Sequence, residues 1–270
     1  MWKFLNTGYS SGPFNMLYDE QLARELSSSE YEGMLRVYGW DPPCISLGYH
    51  QSLDTVNLEN CRRGGVDVVW RPTGGRAVLH WEELTYSVVL RADERSLSEV
   101  YRHIGLALER GLRELNSEIS LARPEPPGMP ITRPTSALPC YTSIARFELQ
   151  YRGKKLIGSA QRRYKFPQEG QQSDKRQAEE VVLQHGSILL GPAHRRLVEF
   201  LVIEKKDQIE SLEKELQGKS IELSSILRRH VEFSEVAGCL KRGFEAEWGI
   251  RFHDVIERID QPSYESSNKT

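Results

Sequence analysis

The chain has 270 residues, enough to bury a full hydrophobic core, and 39% hydrophobic with 27% charged residues is ordinary for a globular protein. A net charge of −2 gives no basic footprint of the kind that nucleic-acid binding requires. No apolar run reaches the length of a membrane span, and the opening MWKFLNTGYSSG lacks the apolar core of a signal peptide. The four cysteines form no CxxC pair, so we expect no zinc site, no disulfide framework and a cytoplasmic protein.

The first third of the chain predicts strands around one long helix. WKFLNTG, EGMLRVYGW and CISLGYHQS are typical of strands, and the segment 55–63 predicts a helix that Gly64 and Gly65 end. The segment FNMLYDEQLARELSS has the apolar period of a helix. Its predicted apolar face consists of Phe14, Leu17, Tyr18, Leu22 and Leu26.

The middle of the chain contains a glycine-rich loop, a proline-rich stretch and a predicted hairpin. The strands VDVVW and ELTYSVVLRA flank the loop RPTGGRAVLH at 71–80, and residues 98–115 predict an amphipathic helix. A stretch with six prolines, ARPEPPGMPITRPTSALPC, is too long for a simple connector and is a candidate functional segment. RFELQYRGKKLIGSAQRR predicts a hairpin turning at 152–154, which pairs Lys155 with Gln150 or Tyr151.

The last third predicts a polar excursion at 165–180, a strand at VVLQHGSILL and a helical part over 195–250. We expect residues 1–258 to form a single catalytic domain and residues 259–270 to be a disordered tail. Because strands and helices interleave unevenly, the pattern favours an α+β fold, a mixed sheet with flanking helices, over a doubly wound sheet.

The loop at 71–80 has the composition of a binding loop. Paired glycines let backbone N–H groups approach an anion or a polarised carbonyl, and Arg71, Arg76 and His80 add positive charge and hydrogen-bonding groups. The alternative is a tight turn between two buried strands, which also favours Gly-Gly. The residues alone leave both interpretations open.

Three separate blocks, RPTGGRAVLH with ELTYSVV, GKKLIGSAQRR, and LQHGSILL, resemble the signatures of the lipoate-protein ligase and octanoyltransferase superfamily, in order and at matching spacing. FNMLYDEQL and FSEVAGCLKRGFEAEWGI are similar to its first and last helices, so the resemblance covers about residues 2–252. It implies a biotinyl/lipoyl protein ligase-like catalytic domain whose twisted sheet encloses a tunnel for a medium-chain acyl group. It also implies that the loop borders this tunnel.

The resemblance further implies the reaction. Cys140 lies upstream of the lysine block, ahead of an aromatic-Glu-Leu strand, as in the cysteine-dependent octanoyltransferases that resemble the ligases. A thiolate needs a nearby cation, and Lys155 is the lysine that matches the family. An extended chain would separate Cys140 from Lys155 by about 30 Å, so the segment before Arg146 must fold back.

We therefore predict an octanoyltransferase of lipoate biosynthesis. It would move octanoate from acyl carrier protein through a Cys140 thioester, with help from Lys155, to a lysine of a lipoyl domain or glycine-cleavage H protein. No cofactor, metal, nucleic acid or membrane is expected. The predicted substrate-binding residues are Arg71, Thr73, Gly74, Gly75, Arg76, Ala77, His80, Gly158, Ser159, Ala160, Gln161, His185 and Gly186.

Two alternatives remain. One is an ATP-dependent lipoate ligase, the only case in which ATP and magnesium would be needed. The other is a non-catalytic binder of lipoyl domains or acyl groups. His80 and His185 could each be a core histidine instead of a binding residue. Lys155 could be a solvent-exposed lysine of the hairpin.

Overall fold

The computed structural model describes residues 1–122, 147–167 and 179–255. Its strands within these ranges are β1 (Trp2–Ser10), β2 (Gly33–Trp40), β3 (Cys44–Leu47), β4 (Asp67–Trp70), β5 (Val78–His80), β6 (Glu83–Arg91), β7 (Ile119–Leu121), β8 (Leu149–Tyr151), β9 (Lys154–Lys155), β10 (Ile157–Phe166), β11 (Glu179–Leu189) and β12 (Phe252–Val255). Its α-helices are α1 (Gly12–Leu26), α2 (Leu58–Gly64), α3 (Leu97–Leu112), α4 (Lys206–Lys219), α5 (Leu223–Leu227) and α6 (Phe233–Trp248). Short 3-10 helices cover Leu53–Thr55 and Pro192–Phe200. Among the helices in these ranges, none has both the length and the apolar character needed to cross a bilayer.

A mixed six-stranded sheet in the order β10-β11-β6-β2-β1-β12 forms the centre of the molecule. The neighbours from β10 to β2 are antiparallel, and β1 runs parallel to both β2 and β12. Two three-stranded sheets, β4-β3-β5 and β7-β8-β9, accompany it. Helices α3 and α6 pack on one face of the central sheet and α1 packs on the other. The mixed sheet with flanking helices predicted from the sequence is confirmed.

Helix α1 buries Leu22 and Leu26 as predicted, but its first half turns a different face to the core. Its buried positions include Asn15, Met16 and Asp19, whereas Leu17 is 60% exposed. The predicted face was therefore wrong in the first half of the helix. Apolar periodicity could not identify it, because two of the buried side chains are polar and are satisfied by residues of other elements.

Helix α3 follows its prediction closely. A capping box at Ser96 and Glu99 fixes its start. The apolar positions buried in the main core are Val100, Ile104, Ala107, Leu108 and Leu112, whereas Leu115 lies past the helix end and is partly buried. Helix α2 ends at Gly65 in the left-handed region, as the Gly-Gly stop signal predicts.

In the last third of the chain, the extent of two strands and the presence of a further strand differ from the predictions. Lys165 pairs with Glu180, so strands β10 and β11 extend into the predicted polar excursion, of which residues 168–178 lie outside the described residues. Strand β12 was not predicted; it lies between the helical part expected over 195–250 and the tail expected from residue 259. It is stabilised by pairing with β1 at the opposite end of the sequence. The predicted tail also lies outside the described residues.

Candidate active site

The loop after β4 is held by its own arginine. The buried Arg71 guanidinium donates hydrogen bonds to the carbonyl oxygens of Gly74, Arg76 and Ser46 at 2.8–3.1 Å. Gly75 has a φ of +100°, which a residue with a side chain rarely adopts. A Cβ on Gly48 would lie 2.0 Å from the Gly75 carbonyl oxygen. Arg71 therefore shapes the loop, and Gly48 lets it approach β3.

Substituting Gly48 tests this close approach. We expect Gly48→Ala to lower the free energy of unfolding by about 1–3 kcal/mol, because the new methyl group must push the loop away. Gly74→Ala is the matched control, since no atom lies within 4 Å of its ideal Cβ and its φ is not positive. Urea unfolding of both variants measures the difference. Equal stabilities would contradict this account of the loop.

A cavity lies between the central sheet and the smaller sheet β4-β3-β5. Its empty volume is about 430 Å³, open space at the mouth included, and its exposed wall is mostly apolar. The loop contributes Arg71 and Gly75, and the edge strand β10 contributes Gly158, Ser159 and Ala160. The remaining lining residues are Met16, Tyr38, Trp40, Ser46, Val78, His80, Thr85, His185, Gly186 and Ser187.

The predicted residues thus divide into three groups. Eight line the cavity: Arg71, Gly75, His80, Gly158, Ser159, Ala160, His185 and Gly186. Thr73 bonds to the lining residue His185, whereas Gln161 contacts Gln184, the neighbour of His185 on β11. The other three lie in the loop away from the lining: Gly74 is exposed, Arg76 half-buried, and Ala77 packs in the core of the smaller sheet.

His80 on β5 is tied into one wall of the cavity. Its Nε2 lies 2.7 Å from the Ser46 hydroxyl and its Nδ1 lies 2.8 Å from the Glu83 carboxylate. Its ring stacks on Trp40 with a centroid separation of 4.0 Å. The indole N–H of Trp40 donates to Thr85, whose hydroxyl donates to Glu83. His80 is therefore both a lining residue and a hydrogen-bonded core histidine.

His185 on β11 belongs to a second buried network that reaches from the loop to α1. Its Nε2 lies 2.6 Å from the Thr73 hydroxyl and its Nδ1 lies 3.3 Å from Asp19. Asp19 also accepts hydrogen bonds from Arg36 at 2.8 Å and Tyr38 at 2.9 Å. The Arg36–Asp19 ion pair has no solvent exposure on either side chain. This network connects the loop to helix α1 and strand β2.

Burial and charge set the protonation states in this network. Burial by itself raises the pKa of Asp19, but Arg36 and His185 together bring that pKa below its ordinary value. Burial lowers the pKa of His185 despite the opposing effect of Asp19. A neutral His185 satisfies both contacts when Nδ1 donates to Asp19 and Nε2 accepts from Thr73.

The segment 158–161 lies against β11 at the other wall. The Tyr86 hydroxyl lies 2.7 Å from the Ser159 hydroxyl and accepts a hydrogen bond from Gln184 at 2.8 Å. Burial raises the pKa of Tyr86 to about 12. A Cβ on Gly186 would lie 2.6 Å from the Ser159 Oγ atom, so this position admits only glycine at the observed strand spacing.

Lys155 is buried beside this wall. Its side chain is 2% exposed, and its ammonium group lies 2.8 Å from the carboxylate of Glu148, which is equally buried. The backbone N–H of Ser159 points to the same carboxylate at 3.5 Å. Strand pairing with Gln150 confirms the predicted hairpin register. A solvent-exposed hairpin lysine is excluded, and Glu148 is a buried partner that the sequence analysis did not identify as a site residue.

The backbone of Lys155 is held by the segment after α4. The Ile221 N–H donates to the Lys155 carbonyl oxygen at 3.0 Å, and Ser220 forms a parallel bridge to Lys155. The Ser220 hydroxyl donates to Leu216 and lies 2.7 Å from Nε2 of His194. Burial lowers the pKa of His194 to about 4. A neutral imidazole thus supports the segment that fixes Lys155.

The depressed pKa of His194 predicts a pH dependence of stability. Since the unfolded chain takes up a proton near pH 6.5 and the folded chain near pH 4, stability is complete above the first value. It falls by about 3 kcal/mol as the pH drops through this window. Urea unfolding of His194→Gln should show a smaller decrease. The exposed His230→Gln is the control and should keep the full decrease. Identical slopes in both variants would contradict the assignment.

The described cysteines are packing residues. Cys44, Cys61 and Cys239 are free and buried, and burial raises the pKa of each thiol. None of these three has the environment of an activated thiolate. Cys140 lies outside the described residues, so its predicted role stays a prediction.

The fold and the cavity define a class of protein in which a mixed sheet borders an apolar cavity, with a buried lysine beside the cavity wall. The lipoyl protein ligase A/B catalytic domain family matches residues 11–245, and the chain belongs to this family. The resemblance inferred from the three sequence blocks is confirmed.

Several relatives carry the name Octanoyltransferase LipM. The protein from Kyrpidia tusciae is 43% identical over 194 residues, which are 70% of this chain and 66% of the relative. The protein from Bacillus subtilis is 31% identical over 259 residues, 93% of this chain and 87% of the relative. The chain spans slightly less than two thirds of the length of the Kyrpidia protein.

Solved structures agree on the fold. A bipartite lipoate protein ligase from Thermoplasma acidophilum has a TM-score of 0.71 at 21% identity, covering 95% of this chain and 88% of its own. Lipoate-protein ligase A bound with ATP has a TM-score of 0.70 at 20% identity, covering 94% and 89%. At these identities the likeness supports the fold alone.

Proposed function

We propose that the protein is an octanoyltransferase of lipoate biosynthesis, which takes octanoate from acyl carrier protein and transfers it to a lysine of a lipoyl domain or glycine-cleavage H protein. The names of the relatives in Kyrpidia tusciae and Bacillus subtilis support the transferase class over the ligase class. The family match over residues 11–245 supports the same acyl chemistry.

The observation that carries the proposal is the buried Lys155–Glu148 pair beside the cavity, next to the lining residue Ser159. Burying an ammonium group costs free energy. The Lys155 ammonium group is nevertheless buried, paired with the Glu148 carboxylate. That carboxylate lies 3.5 Å from the backbone nitrogen of Ser159, which lines the cavity. A cation in this position suits stabilisation of negative charge on sulfur or on a tetrahedral oxyanion. A mostly apolar cavity beside it suits a fatty acyl chain.

The proposed reaction has two exchanges. The Cys140 thiolate attacks the carbonyl carbon of the octanoyl thioester, the bond from that carbon to the carrier sulfur breaks, and the carrier thiolate takes up a proton. The neutral amine of the acceptor lysine then attacks the Cys140 thioester, loses its proton and displaces the Cys140 thiolate. The Lys155 ammonium group stabilises the thiolate and the oxyanions and gives its proton to the leaving carrier thiolate; as a neutral amine it then accepts the proton that the acceptor lysine loses.

This chemistry needs no cofactor, because the incoming thioester already supplies an activated acyl group. A nucleophilic cysteine must stay reduced, which keeps the cytoplasm as the expected compartment. Acyl carrier protein and a lipoyl-type domain are the two partners that the reaction requires.

Assaying transfer with and without ATP tests the proposal. Purified protein, octanoyl carrier protein and an apo lipoyl domain should yield octanoylated domain without ATP, and Cys140→Ala should abolish the product. ATP-dependent use of free lipoate, undiminished in Cys140→Ala, would identify a ligase instead. Binding of the lipoyl domain without any turnover would identify a non-catalytic binder.

A further inference from the structure

The cavity ends at a wall that it shares with an open groove on the molecular surface. Among the described residues, Met16 and Arg71 line both spaces. The groove itself is bordered by exposed apolar side chains, including Leu17 at 60% and Trp70 at 48% exposure. If a side chain of this wall were shortened, the cavity and the groove would become continuous.

This wall lies far from Lys155. The cavity begins at Gly158–Ala160 on edge strand β10, crosses β11 and β6, and reaches Tyr38 and Trp40 on β2. Three inter-strand spacings separate β10 from β2, a distance of about 14 Å. Met16 packs against Tyr38 and Trp40 at this far end. The Lys155–Glu148 pair lies at the near end, beside Ser159.

Of the two shared residues, only Met16 is free to adjust. The Arg71 guanidinium is fixed by hydrogen bonds to Gly74, Arg76 and Ser46. Met16 projects from α1, is 7% exposed, and packs against apolar side chains of β2, β3 and β4. A methionine side chain is unbranched and flexible, and it fills irregular gaps without directional bonds.

We propose that Met16 is a specificity-determining residue that closes the far end of the acyl cavity and limits the length of the fatty acyl group. The inference rests on the proposed acyl transfer. An acyl group whose carbonyl lies near Lys155 extends its tail towards β2, where the methionine side chain stops it. With a smaller side chain, the tail of a longer chain continues into the groove.

Acyl-chain competition tests the proposal. The full chain and its variants receive octanoyl, decanoyl and dodecanoyl carrier protein in turn, and transfer to a lipoyl domain is measured. Met16→Ala should raise the ratio of dodecanoyl to octanoyl transfer by about tenfold or more, since each accommodated methylene carries a discrimination of this order. Met16→Val, a milder truncation that guards against misfolding, should raise it less. Met16→Leu, which keeps the volume, should leave the ratio unchanged.

Leu17→Ala is the matched control, because Leu17 lines the groove without lining the cavity among the described residues. It should leave the ratio unchanged. The inference is overturned if folded Met16→Ala and Met16→Val keep the wild-type chain-length profile while octanoyl transfer continues, or if Leu17→Ala shifts the profile as much. Failure of the wild-type chain to transfer any acyl group would instead overturn the proposed function, and this inference with it.

Discussion

Replacing Lys155 by methionine is expected to lower octanoyl transfer by about two to four orders of magnitude, the usual contribution of a positioned acid–base group. The ammonium group is buried 2.8 Å from Glu148 and beside the cavity wall, so no solvent-borne cation can take its place. Steady-state transfer to a lipoyl domain measures the effect. Lys154→Met is the matched control, because the adjacent Lys154 ammonium is exposed and donates to the Gln217 carbonyl oxygen instead of to a buried carboxylate.

A loss of stability must be separated from this loss of chemistry. Lys155→Met leaves the Glu148 carboxylate buried beside an apolar side chain, which costs about 3–5 kcal/mol of folding free energy. Adding Glu148→Gln removes the uncompensated charge, so the double variant should regain most of the stability but none of the activity. If the double variant recovers transfer, Lys155 acts only by holding the fold together.

Asp19→Ala is expected to lower the free energy of unfolding by about 3–5 kcal/mol, since it leaves the fully buried Arg36 guanidinium without its carboxylate. It also removes the acceptor for Tyr38 and His185, and thereby loosens the contact of His185 with Thr73 in the loop. Urea unfolding measures the change. The exposed Arg152–Glu118 pair gives the control, because Glu118→Ala removes a solvent-screened ion pair and should leave the unfolding curve close to that of the wild type.

The contribution of Asp19 also has a definite pH dependence. Its pKa is lower in the folded chain than in the unfolded chain, so its stabilisation is present above the ordinary carboxyl pKa and is lost as the pH falls through the lower folded value. Asp19→Ala should therefore remove part of the acid dependence of unfolding. A stability near that of the wild type at neutral pH would contradict the central place of this network.

The sequence predicted those parts of the site that depend on local signals. The Gly-Gly pair and Arg71 mark the loop, and Arg152-Gly153, both at positive φ, mark the hairpin that places Lys155. These features depend on residues close together in the chain, so they do not require tertiary contacts to be recognised. The cavity lining on β10 and β11 followed from the family resemblance rather than from periodicity.

The buried polar network could not be predicted in the same way. Asp19 lies on a helix in a segment whose pattern suggests a solvent-facing position, and it is buried because Arg36 and His185 reach it from two different strands. Glu148 belongs to an aromatic-Glu-Leu strand pattern that marks the region but does not reveal that Lys155 pairs with it. A buried charge is recognisable only when its partner is known, and these partners are supplied by tertiary packing.

Strand β12 illustrates the same limit for secondary structure. Four residues after a long helix carry too weak a pattern to predict a strand, and they form one because the free edge of β1 offers a parallel partner. Pairing between the two ends of the chain is a tertiary effect that local propensity does not contain.

The covalent acyl-enzyme is the central claim, and an intact-mass spectrum of the protein after mixing with octanoyl carrier protein tests it most directly. The predicted result is a single octanoyl adduct that hydroxylamine removes, that disappears in Cys140→Ala, and that persists when Cys44, Cys61 or Cys239 is replaced by alanine. An adduct that survives in Cys140→Ala, or acyl transfer to the lipoyl domain by that variant at the wild-type rate, would contradict the account.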